Sequence, residues 1–98
     1  MGAEISLSAG GTPVTLDGFA QDFIHQTVAG ILAALEGGKD FKTLELVIEG
    51  EVVSVKINGA ILPMKPFVQD IVRNTVVGMV SSLKGVDDTS RVMVNIKR

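Results

Sequence analysis

Four stretches of the chain alternate apolar and polar residues, and two longer ones repeat apolar residues at helical spacing. Ile5, Leu7 and Ala9 alternate with Ser6 and Ser8, the period of a half-buried strand. Gly10-Gly11 predicts a tight turn, after which Val14 and Leu16 flank Thr15. Pro13 has no amide to donate, which confines this second run to a sheet edge or an irregular segment. Leu44, Leu46 and Ile48 alternate with Glu45, Val47 and Glu49; Gly50 breaks the run, and Val53, Val55 and Ile57 resume it opposite Ser54 and Lys56. Asn58-Gly59 is a strong hairpin signal, since both residues accept positive φ. Leu62 and Met64 follow it, and a last strand places Val92, Val94 and Ile96 opposite Arg91, Met93, Asn95 and Lys97.

Two helices are predicted, over Phe19 to Leu35 and Phe67 to Leu83. Asp17 stands where an N-cap belongs, Pro66 suits the first helical position, and Gly37-Gly38 supply a helix stop. At 100° per residue, Ala20, Phe23, Ile24, Thr27, Ile31 and Leu35 form the centre of the first apolar face. Gly30 falls on one flank, and Val28 and Leu32 on the other.

The two helical stretches are copies of one pattern: F-x-Q-D, then T-V-x-G, then Leu and Gly. Residues 5–50 align without gaps on 53–98 at an offset of 48. Twelve of the 46 aligned positions are identical, among them Phe19/Phe67, Gln21/Gln69, Asp22/Asp70, Thr27/Thr75, Val28/Val76, Gly30/Gly78 and Leu35/Leu83. Chance would leave roughly three, so the chain reads as one domain, 1–98, made of two repeats.

The expected architecture is α+β: a two-layer sandwich with an antiparallel or mixed sheet and two helices on one face, internally duplicated as (ββαβ)2. Counting each opening hairpin as one broken strand gives βαββαβ, a topology that resembles the ferredoxin-like split motif. In a symmetric arrangement equivalent helix flanks must meet. Because glycine permits close helix approach, Gly30 and Gly78 are placed inside. Val28, Leu32, Val76, Val77 and Val80 then form an exposed apolar edge fit for dimerisation.

Composition narrows the function classes. Without cysteine there is no disulfide or thiolate metal site. A net charge of −2 with both signs interspersed lacks the concentrated basic face of a nucleic-acid binder. No apolar run is long enough to span a bilayer, which makes the cytoplasm the default compartment. A mean hydropathy of +0.40 points to apolar surface that ends against another chain.

The polar candidates are Gln21, Asp22 and His25 with their counterparts Gln69, Asp70 and Arg73. An aspartate early in a helix complements the helix dipole, and a lone histidine lacks metal-binding companions. The open sheet face should carry Ser6, Ser8, Glu45, Glu49, Ser54, Lys56, Asn95 and Lys97, without the aromatics of RNA-binding sheets, because all four phenylalanines read as core or core edge. The expected function is a non-enzymatic assembly or regulatory module that pairs with itself or a larger protein, with room for a small ligand at the interface and with no catalytic, metal or cofactor residues assigned. A small enzyme with its site at a subunit boundary is the alternative, ahead of nucleic-acid binding.

Overall fold

The computed structural model describes residues 4–35, 41–83 and 85–98. The elements are β1 (Glu4–Ala9), β2 (Thr12–Val14), α1 (Gly18–Ala33), β3 (Thr43–Glu49), β4 (Val52–Ile57), β5 (Ala60–Ile61), α2 (Pro66–Ser81) and β6 (Arg91–Lys97). Each element of the second half begins 48 residues after its counterpart in the first, and β4, α2 and β6 match β1, α1 and β3 in length. The helix stop read at Gly37-Gly38 lies outside the described residues.

Local chemistry accounts for the element ends. Asp17 accepts a 2.7 Å hydrogen bond from the Ala20 amide and caps α1. Pro66 opens α2, whose N-cap residue Lys65 makes no side-chain cap bond. The hairpin turns carry the positive φ values their residues accept: 60° and 82° at Gly10 and Gly11, 52° and 84° at Asn58 and Gly59. Gly10 is doubly constrained, because a Cβ there would come within 2.8 Å of the Asp88 side chain. That carboxylate in turn accepts a bond from the Ser90 amide at 2.8 Å, and its hydrogen bonds to Ser90 hold it below the usual aspartate range.

The six strands form one antiparallel sheet in the order β2-β1-β6-β3-β4-β5, with the Pro13 strand at an edge. Alternate strand positions point to one face and are buried there: Leu7, Leu44, Leu46, Ile48, Val53, Val55, Val92, Val94 and Ile96 join Ile24, Val28, Leu32, Val72, Val76 and Val80 of the helices in a single core. Both helices therefore cover the same face, and the opposite face stays open.

The strand order departs from the ferredoxin-like expectation. β1 and β3, joined through α1, are split by one strand, as are β4 and β6. The wedge in each case is the last strand of the other half, whereas a ferredoxin-like sheet uses the first. β1 has two edges, and its own hairpin partner β2 occupies one of them. Only the other edge can take a strand from the second half, and β6 takes it.

The helix faces also differ from the expected ones. α1 buries Ala20, Ile24, Val28 and Leu32, and α2 buries Val72, Val76 and Val80. The buried face is rotated by roughly 50° from the centre read off the wheel, toward the Val28–Leu32 flank. Val28, Leu32, Val76 and Val80 are at most 1% exposed and Val77 is half-buried, so they are not the exposed edge the symmetry argument placed there. Gly30 and Gly78 are exposed instead, as is Thr75. The apolar arc of each helix is wider than one sheet face can cover, and the branched aliphatic edge won the contact. Phe19, Phe23 and Phe67 lie on the losing edge in the open, while Phe41 alone of the four phenylalanines is core, which corrects the reading of all four as core or core edge.

Candidate functional site

The open sheet face is mostly polar, with Val47, Val52, Ile61 and Met93 interspersed. Across the strands Glu4 stands opposite Lys97, Ser6 opposite Asn95, Asn95 opposite Glu45 and Glu45 opposite Lys56. These side chains line a depression of about 610 Å³. Its charges balance, and together with Ser6 and Asn95 they offer donors and acceptors to a small ligand of mixed charge. The face carries one direct ion pair among the described residues, Arg91 to Glu49 at 3.8 Å. Both partners are more than half exposed, so solvent screens the pair and it adds little to stability.

The polar candidates are dispersed, and four of the six tie a helix to its surroundings. The Gln21 amide donates to the Leu16 carbonyl at 3.2 Å, and Gln69 does the same to Met64 at 3.1 Å. These equivalent bonds pin the segment entering each helix, which explains the repeated glutamine structurally. Arg73 donates to the Gly50 carbonyl at 2.6 Å. His25, its counterpart, accepts from Arg98 Nε at 3.3 Å, and the Arg98 guanidinium stacks 3.8 Å above the Phe41 ring. Positions 50 and 98 are themselves 48 residues apart, the offset between the elements of the two halves, so both helices anchor to the residue that follows a central strand. Asp22 and Asp70 are solvent-exposed. No buried side-chain polar atom lacks a partner among the described residues, so no orphaned group marks a hidden pocket. Among the same residues no three His, Cys, Asp or Glu side chains are grouped to hold a metal, and no helix is long and apolar enough to cross a membrane.

The feature the sequence reading missed is the outer surface of the helix layer. Phe19 is 76% exposed, Phe23 51%, Phe67 70% and Ile71 47%. The Phe19 and Phe23 rings pack on each other at 5.8 Å, tilted by 38°. Phe19, Phe23, Gly30 and Ala34 fall within one arc of about 60° on the wheel, and the second helix repeats the pattern with Phe67, Ile71, Gly78 and Ser82. A signal was present in the sequence: Phe19/Phe67 and Gly30/Gly78 are identical pairs on this same arc, away from the residues the sheet covers.

The two glycines have no steric reason inside the monomer, since a Cβ at either would meet nothing within 4 Å. A glycine in a helix interior costs about 0.5–1 kcal/mol relative to alanine. Replacing Gly30 or Gly78 with alanine is therefore expected to raise monomer stability by about that amount per site, measured by urea denaturation. A loss of stability would show that the helix backbone needs glycine there.

Comparison with known proteins finds no matching family model, no matching curated protein and no matching solved structure.

Proposed function

We propose that this chain is a non-enzymatic assembly module that buries the outer surface of its helix layer against a protein surface. The observation that carries this reading is the exposure of Phe19, Phe23, Phe67 and Ile71 on one side of the molecule. Monomeric soluble proteins rarely leave large contiguous apolar patches open, and aromatic residues are enriched where proteins meet. The matching sequence pattern and element offsets of the halves support an internal duplication, which would give the module two equivalent helices on one contact face.

The test is retention of the folded protein on a phenyl matrix, compared with the Phe23→Asp/Ile71→Asp double variant. Both positions lie outside the core, so the variant should keep its fold, checked by circular dichroism. Strong retention of the wild type, loaded dilute enough that no second copy covers the face, and loss of it in the variant is the expected result. Equal retention of the two would show that the helix layer is not the apolar contact surface.

A further inference from the structure

We infer that the occupant of the helix layer is a second copy of this chain, its aromatic side chains seated over the partner's glycines. The inference rests on the assembly reading above and names the partner. Each helix presents bulk at its start and space toward its end: Phe19 and Phe23 precede Gly30 in α1 and its C-cap residue Ala34, and Phe67 and Ile71 precede Gly78 in α2 and its C-cap residue Ser82. A contact across a two-fold axis is isologous, so whatever one copy places against the other is returned to it. A helix packed on its own copy across a perpendicular two-fold runs antiparallel, and bulk then meets space at both ends. In α1 the register that sets Phe23 over the partner's Gly30 also sets Phe19 over its Ala34. In α2 the same register pairs Ile71 with Gly78 and Phe67 with Ser82. An unrelated partner would need to supply this alternation; a second copy already has it.

Size and charge fit the same occupant. The molecule measures 34 × 33 × 19 Å, and the broad face has room for the roughly 800 Å² per partner of a standard interface. Asp22 and Asp70 lie at the margin of the aromatic arc, leaving its centre free of charge, as interface cores are. The open glycine positions, unexplained within one chain, become the sites where two helix backbones approach.

The experiment is sedimentation equilibrium of the full chain beside the Gly30→Leu/Gly78→Leu variant, with urea denaturation of both. A Cβ at either glycine meets nothing within 4 Å and both positions are exposed, so leucine is expected to leave the fold intact. Between copies it fills the notch. A wild-type dimer that the leucine variant weakens by about 30-fold or more, the size of a hot-spot loss, is the expected result. A wild-type monomer at high micromolar concentration would overturn the second copy as occupant and leave the phenyl-matrix result standing. A dimer indifferent to the leucines would overturn the seating of aromatics on glycines.

Discussion

Val76→Asp is expected to abolish the fold. Val76 is fully buried in the core that joins both helices to the sheet. A carboxylate there has no partner among the surrounding aliphatic side chains, and an uncompensated buried charge costs several kcal/mol even after the protein relaxes around it. Domains of this size have only about 5–15 kcal/mol of stability to lose. Circular dichroism and a two-dimensional amide spectrum of the variant should show a collapsed or unfolded chain. Phe23→Asp, made on the same scaffold, should cost far less, about 1 kcal/mol, because half of that side chain is already exposed. The contrast decides which helix edge is core. A well-folded Val76→Asp protein would return the aliphatic flank to the surface and dismantle the interaction surface argued above.

Cutting the chain after Gly50 should leave neither half folded alone. In the first half β1 pairs only with β2, since its other neighbour is β6. β3 has no partner at all there, because it lies between β4 and β6, both from the second half. What remains is a short hairpin, a helix and a lone strand, and an isolated hairpin is marginal in water. Residues 1–50 and 51–98 should each lack a cooperative thermal transition at low concentration. Mixing them should restore one, as the β3–β4 and β3–β6 ladders re-form. A monomeric half that melts cooperatively would contradict the observed pairing.

Much of the fold was legible from neighbouring residues. The alternation in Leu44–Ile48, Val53–Ile57 and Val92–Ile96 named the buried face of each strand correctly, because side chains alternate across a strand whatever lies beside it. Asn58-Gly59 and Gly10-Gly11 marked their turns through backbone angles that few other residues accept. Asp17 and Pro66 marked helix starts through hydrogen bonds made or relinquished within one turn.

Two features were decided only in three dimensions. Strand order depends on pairings such as Glu4 with Lys97 and Leu46 with Val94, which bring together residues far apart in the chain. Local pattern carries no record of which distant edge a strand meets; with one β1 edge taken by β2 and both β4 edges taken by β3 and β5, the remaining β1 edge went to β6. Helix rotation was the other. A wheel ranks residues by hydrophobicity and cannot tell Phe23 from Val28, yet the sheet covers only part of the apolar arc. Packing buried Val28 and Leu32 and left Phe19, Phe23 and Gly30 outside. The sequence by itself therefore determined the elements, their turns and the inward faces of the strands, where the physics acts within a few residues. The tertiary structure decided the strand neighbours and the outward surface of the helices, because both result from competition between distant parts of the chain for the same limited area of sheet.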